Sequence, residues 1–232
     1  MPESISLNKF ISSTGICSRR EADRWIEAGR VTLNGIVATR GNRVLPHDHV
    51  AVDGRPLGQR PASVYLAFHK PAGITSTTDR SDPHNLIDYL DYPERIFPIG
   101  RLDKASTGLL LLTNDGDVVN TILREENEHE KEYIVTVDRP INGDFVQRMS
   151  AGLPILGTRT KPCTVERLGK RAFRIVLTQG LNRQIRRMCA YLGYGVLTLK
   201  RVRIMDINLG TLAVGQYRPL DPRHELRGIA TK

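Results

Sequence analysis

Apolar residues fall first at helical and then at strand spacing along the N-terminal stretch. Leu7, Phe10 and Ile11 recur three and four apart, which predicts a first helix. Ser18-Arg-Arg-Glu21 is a capping box ahead of a second helix, whose buried stripe is Ala22, Trp25 and Ile26 and whose stop is Gly29. Val31 to Leu33, Asn34-Gly35 and Ile36 to Ala38 spell a hairpin with a type I′ turn. A strand around Val50 to Val52 runs into a second turn at Asp53-Gly54. Gly54 to Ala62 holds two prolines, two glycines and two arginines and reads as a linker.

Beyond it the pattern predicts strands over Val64–Phe68, Gly108–Leu112, Glu132–Val137, Lys161–Leu168 and Phe173–Thr178. Helices are expected over Asn85–Leu90, Val118–Leu123, Asn142–Ala151 and Asn182–Leu192. Strands and helices follow one another irregularly, so the fold class is α+β rather than a doubly wound parallel sheet. No internal repeat and no low-complexity tract is visible.

Composition narrows the partner more than the fold. The 232 residues are 40% hydrophobic, enough for a sizeable core, and carry a net charge of +9. That excess points to a polyanion, RNA or DNA before an anionic membrane. Cys17, Cys163 and Cys189 are odd in number and far apart, which argues against a disulfide framework or a zinc site and for reduced thiols in the cytoplasm. The opening Met1-Pro-Glu-Ser4 lacks the basic-then-apolar pattern of a signal peptide. The longest apolar run, Leu109 to Leu112, is far too short to span a bilayer.

Lys9, Arg19, Arg20, Arg24 and Arg30 cluster on the predicted helix pair, with Arg20 and Arg24 four apart on one face. Cations at this spacing can follow successive phosphates. The plainer reading is a solvated face neutralised in part by Glu21, Asp23 and Glu27, and charge alone weighs the two equally. The stretch Leu7 to Ile26, followed by Gly29-Arg-Val-Thr-Leu-Asn-Gly35, resembles an S4 domain over residues 5–53. That resemblance implies docking on structured RNA through phosphates and shape.

Three later segments carry candidate chemistry. Gly100-Arg-Leu-Asp103 sets one carboxylate in a loop just ahead of four leucines, which is how a rigid strand presents a reactive side chain. An aspartate after a turn is more often only a loop or cap carboxylate. On the helix from Asn182, the residues Ile185, Met188, Cys189 and Leu192 form the apolar stripe. Arg186 falls at its edge while Arg183 and Arg187 point away, so Arg186 can enter a pocket. Tyr133 opens an alternating strand, where a core-facing ring is the ordinary outcome. Lys70-Pro-Ala-Gly73 could brace the loop or contact RNA, and a plain turn after a strand explains it almost as well. His47, His49 and His69 show no ligand spacing.

Taken together, Lys70-Pro-Ala-Gly73, Gly100 to Asp103 with the leucines, Lys131-Glu-Tyr133 and Asn182-Arg-Gln-Ile-Arg-Arg-Met188 resemble the RsuA-like pseudouridine synthases. The segments Asn127 to Tyr133 and Ile155-Leu-Gly-Thr158 look most like the branch acting on 23S ribosomal RNA. The resemblance implies an S4 domain over 5–53, a linker over 54–62 and a synthase domain over 63–232 with a mixed, largely antiparallel sheet. It implies isomerisation of a uridine to pseudouridine in ribosomal RNA, a tRNA or a precursor particle, by a cytoplasmic monomer without cofactor, metal or membrane. Asp103 would act at the sugar as nucleophile or as base, Arg186 would pair with it, and Tyr133 would stack on a flipped base. Contacts to RNA would come from Lys9, Arg19, Arg20, Arg24, Arg30, Arg101, Lys131, Asn182, Arg183, Gln184 and Arg187. Two positions depart from the family pattern, Ala105 where an acid or amide is frequent and Leu181 where a base is. The rival function is a non-catalytic RNA-binding assembly factor on the same scaffold, which would not need Asp103. A small-molecule hydrolase would leave the S4-like module unexplained.

Overall fold

The computed structural model describes residues 4–58, 60–123 and 128–227. Met1 to Glu3, Gln59 within the expected linker and Asn127 of the family-like segment lie outside the described residues. The chain packs as two compact units. One comprises the described part of Met1–Val64 with the short segments Tyr92–Arg95 and Asn114–Gly116; the other comprises Tyr65–Asp91, Ile96–Thr113 and the described part of Asp117–Lys232.

In the first unit, β1 (Ile5–Ser6) leads into helix α1 (Leu7–Ser13) and then α2 (Arg19–Glu27). Ser18 caps α2, its hydroxyl accepting the Glu21 N–H at 3.2 Å, which satisfies one of the helix's free donors. Leu7, Ile11, Ala22 and Ile26 are buried, as their spacing predicts. Strands β2 (Val31–Leu33) and β3 (Ile36–Val37) close over Asn34 and Gly35, whose φ values of 53° and 82° are those of a type I′ turn. Then come β4 (Arg43–Val44), β5 (Val50–Val52) and β6 (Arg55–Pro56). The sheet order is β3-β2-β5-β6, and β1 pairs with β4 apart from it. The expected linker thus begins with a strand. Asp53-Gly54, at φ 49° and 74°, turns the chain back so that Arg55 and Pro56 pair with Val52 and Ala51. Proline is tolerated because β6 is an edge.

The second unit is built on β7 (Tyr65–Lys70), α3 (Leu86–Leu90), β8 (Phe97–Ile99), β9 (Thr107–Thr113), α4 (Gly116–Leu123), β10 (Lys131–Val137) and α5 (Gly143–Ser150). The hairpin β11 (Pro154–Ile155) and β12 (Thr158–Arg159) precedes β13 (Thr164–Arg167) and β14 (Ala172–Leu177). Helix α6 (Gln184–Tyr191), β15 (Val196–Ile204), β16 (Ile207–Asn208), β17 (Tyr217–Pro219) and α7 (Pro222–Glu225) complete it. Asn85 and Asn142 cap α3 and α5 rather than belonging to them, accepting the Asp88 and Phe145 N–H groups at 2.8 and 2.9 Å.

The main sheet runs β13-β14-β10-β15-β9-β7-β17, with β8 and β16 off this path. Every pairing is antiparallel except that of β15 with β9. One edge of β9 is shared: its first residues pair with β15 and its last with β8. The loop from β8 to β9, residues 100–106, therefore lies at the seam where the two partners diverge. Gly108 makes the β15 pairing possible. At φ 110°, a Cβ there would fall 2.1 Å from the Arg201 carbonyl oxygen. On one half of the sheet, Tyr133, Val135, Phe173, Ile175 and Leu199 pack with Phe145 and Met149 of α5 and Ile185 and Met188 of α6. On the other half, Leu109, Leu111 and Ile204 pack with Val118 and Ile122 of α4.

Strand β15 is the longest of the elements that the spacing of apolar residues does not announce, although it is central. The helix expected from Asn182 begins at Gln184, because Arg183 is left-handed (φ 51°) and stands at its N-cap.

Candidate active site

A cleft of about 890 Å³ opens on the second unit between the seam loop, the ends of β10, β14 and β15, and the start of α6. Asp103, Tyr133 and Arg186 all line it, as do Arg101, Lys131, Asn182, Arg183 and Gln184. Its floor is apolar, from Leu111, Leu177, Leu199 and Ile204.

Asp103 stands in a loop whose carbonyls from Arg101 to Ala105 all accept hydrogen bonds. The carbonyl of Leu102 accepts the Ser76 hydroxyl at 2.8 Å, and the Ser76 oxygen accepts the Leu102 N–H in return at 3.2 Å. The Asp103 carbonyl accepts the Ser106 N–H at 2.9 Å, and that of Lys104 accepts the Gly73 N–H at 2.8 Å. Two guanidiniums reach the flanking carbonyls: Arg201 Nη1 that of Arg101, Arg186 Nη2 that of Ala105, both at 3.4 Å. Held this way, the carboxylate keeps one direction while its side chain stays one-third exposed to the cleft.

Arg186 is its ion-pair partner, with Nε 3.7 Å from the Asp103 carboxylate. The edge-of-stripe position on α6 puts the arginine here, and Ser106 holds its Nη2 at 3.1 Å. Its Nε makes no hydrogen bond although it is buried, so the pair is set slightly beyond bonding distance. Catalytic contacts are often long before substrate binds.

Below the loop lies Lys70, fully buried. Its ammonium donates to the carbonyls of Pro71 and Ile74 at 2.7 Å and reaches that of Lys104 at 3.4 Å. Burial pushes its pKa down to about 8; the nearby Asp103 opposes that shift and Arg201 adds to it. The Lys70 turn thus braces the loop.

Tyr133 is buried to 8% exposure and faces the core side of β10. Its cross-strand neighbour is Arg201, and β15 bulges next to this pair, at Val202. The Arg201 guanidinium lies 6.0 Å from the centre of the Tyr133 ring.

The other expected RNA contacts sort by position. Arg183 is exposed at the rim, and Arg187 folds back onto Asn182, donating to its carbonyl and side chain at 3.0 and 3.1 Å. Gln184 is buried, its amide bonded to the Leu181 N–H and to Gln179. It shapes the loop from within and does not offer its amide to RNA. In the first unit, Arg19, Arg20 and Arg24 are exposed and Lys9 is half-buried. Arg30 is engaged by Asp53 at 2.5 Å and lies over Trp25 at 5.2 Å. The sequence reading missed Arg201, Ser76 and Ser106. Only Arg201 left a signal, a cation between Leu199 and Ile204 in what is now a strand.

A basic small module joined to a sheet domain with one clamped carboxylate, an aromatic ring and an apolar floor defines an RNA-modifying enzyme that acts on a base or its sugar bond. The RNA pseudouridylate synthase family model matches residues 64–191, and the S4 domain model matches residues 6–50. The chain belongs to the RNA pseudouridine synthase family, as an enzyme with an S4 domain ahead of its synthase domain. It is 55% identical over 219 residues to the dual-specificity RNA pseudouridine synthase RluF of Escherichia coli strain K12, covering 94% of this chain and 76% of that protein. It is 36% identical over 220 residues to the ribosomal small subunit pseudouridine synthase A of the same strain, covering 92% and 95%. A crystal structure of a pseudouridylate synthase matches with a TM-score of 0.69 at 30% identity, covering 95% and 97% of the two chains. The family and fold class expected from the motifs are thereby borne out. Among the described residues, no helix is long and apolar enough to cross a membrane.

Proposed function

We propose that this enzyme isomerises a uridine of 23S ribosomal RNA, and a tRNA uridine as a second substrate, with Asp103 as the group that acts at the sugar. The observation that carries the assignment is the Asp103–Arg186 pair at 3.7 Å, on a loop whose carbonyls are tied from several sides. One relative's name, dual-specificity RNA pseudouridine synthase, supports two RNA substrates, and the other's, ribosomal small subunit pseudouridine synthase A, supports ribosomal RNA as a class without favouring the large subunit. The choice of the large subunit rests on the likeness of Ile155 to Thr158 and of the segment ending at Tyr133.

The chemistry follows from the cleft. A uridine stacked in RNA hides its glycosidic bond, so the nucleotide leaves the stack and its base enters between Tyr133 and the apolar floor. Asp103 either forms a bond to C1′ as the C1′–N1 bond breaks, or takes a sugar proton as base while the same bond breaks. In both routes the electron pair of the broken bond goes to the uracil. The uracil turns and C5 bonds to C1′, as the Asp103–C1′ bond breaks on the first route or as the sugar proton returns from Asp103 on the second; the C5 proton then leaves and N1 takes up a proton, which restores the ring. The product is an isomer, so no electrons or groups enter or leave overall. Arg186, 3.7 Å from the carboxylate, aims Asp103 into the cleft. The first unit, with exposed Arg19, Arg20 and Arg24, holds the RNA.

The test is a pseudouridine map of ribosomal RNA and tRNA from cells lacking the protein, complemented with wild type or with Asp103→Asn. Sites that vanish and return with wild type alone establish reaction, residue and substrate. An unchanged map, or rescue by the variant, sends the assignment back to RNA binding without chemistry.

A further inference from the structure

Arg201 is the buried cation for which the reaction as described has no use. It is 4% exposed, yet its chain ends beside both reactive elements. Nε donates to the Leu109 carbonyl at 2.7 Å, on the strand that leaves the Asp103 loop. Nη1 reaches the Arg101 carbonyl at 3.4 Å, on the other side of Asp103. The guanidinium carbon sits 6.0 Å from the centre of the Tyr133 ring. Nη2 is buried without a partner.

Two features of the sheet set this placement. Tyr133 to Thr136 pair in unbroken register with Arg201 down to Thr198, and the bulge at Val202 lies just beyond Arg201. Gly108 lets β9 approach the Arg201 backbone more closely than any side chain would allow. A fork that only filled space or satisfied carbonyls would not leave a charged donor unmet in the interior. An arginine serves here because its rigid planar fork can hold two carbonyls and a ring face together.

Resting on the reading of Asp103 and Tyr133 given above, we propose that Arg201 is a positioning residue. It fixes the distance and angle between the carboxylate loop and the aromatic ring, and so acts on the chemical step rather than on RNA affinity. Lysine keeps the charge but lacks the fork, so it cannot replace it.

The experiment compares wild type, Arg201→Lys, Arg201→Met and Asp103→Asn on a substrate RNA transcript. Single-turnover rates at saturating enzyme, RNA dissociation constants and thermal midpoints are measured for each. Misplacement of reacting groups by about 1 Å costs on the order of 10²-fold in rate. We expect Arg201→Lys to fold and to lose at least about tenfold of the single-turnover rate, with RNA affinity within about threefold of wild type. Arg201→Met should lose as much or more. A rate within about twofold of wild type in folded Arg201→Lys, or a loss confined to affinity, overturns the proposal. So does failure of both variants to fold, which would make Arg201 a core residue only. Full activity of Asp103→Asn would instead overturn the underlying reading, whatever Arg201 does.

Discussion

Lys70→Met turns the buried ammonium beneath the Asp103 loop into a measurable pH dependence. In the native chain, burial lowers the Lys70 pKa from its ordinary 10.5 to about 8. Unfolding returns it to water and to the ordinary value. Between these two pH values the native protein has released the proton while the unfolded chain still holds it. Stability rises with pH wherever the unfolded state binds more protons, so the buried charge is a cost below about pH 8 that is relieved as pH climbs. The slope is about 1.4 kcal/mol per pH unit for one proton, so the full span of 2.5 units corresponds to about 3 kcal/mol. Methionine has nearly the same length and does not titrate. At about pH 7 the variant loses donors to the Pro71, Ile74 and Lys104 carbonyls, at roughly 1–3 kcal/mol for each one left unmet. Lys104 retains the Gly73 N–H, which limits that loss. Urea unfolding of both proteins, followed by circular dichroism at about pH 7 and pH 9.5, isolates the titration because other groups cancel in the difference. Wild type should gain about 2 kcal/mol on the variant over that interval. A constant difference, or one of the opposite sign, would refute the argument that Lys70 is a desolvated cation held by carbonyls.

Three further perturbations test other parts of the account. Arg186→Met removes the 3.7 Å partner of a carboxylate that is one-third exposed, so the loss should fall below that of a fully buried pair: about 1–3 kcal/mol in single-turnover barrier, or roughly 10- to 10²-fold in rate. Gly108→Ala forces a Cβ to within 2.1 Å of the Arg201 carbonyl oxygen at φ 110°, and should lower the thermal midpoint or abolish soluble expression, with a cost above about 3 kcal/mol. Replacing exposed Arg20 and Arg24 together with Ala should weaken RNA binding and flatten its salt dependence by up to about two units of slope, read from a salt titration, with the single-turnover rate at saturation unchanged.

What the sequence shows of this site depends on whether a signal is local. The cap at Ser18 and the Asn34-Gly35 turn are decided within four residues, so they are legible, whereas Asn85 and Asn142 are legible only as helix starts and prove to be caps. Arg186 is legible as well, because its distance from an apolar stripe is fixed by helical rotation alone. The loop that bears Asp103 can be seen as a loop, but its rigidity cannot. The donors that hold it come from Gly73, Ser76, Arg186 and Arg201, far apart in the chain. Strand β15 fails for a related reason. Its bulges break the two-residue period, and Arg201 occupies a position that alternation would give to a hydrophobe. Lys70 fails because a lysine in a strand is expected to reach solvent. It stays inside because two carbonyls of the turn after it and one of the seam loop surround its end, an environment that exists only once β7 and the seam loop are side by side. The cations that violate the expected pattern, Lys70 and Arg201, both meet the Asp103 loop. In this chain, departures from simple alternation therefore mark where the fold accepts the cost of buried charge to hold one carboxylate still.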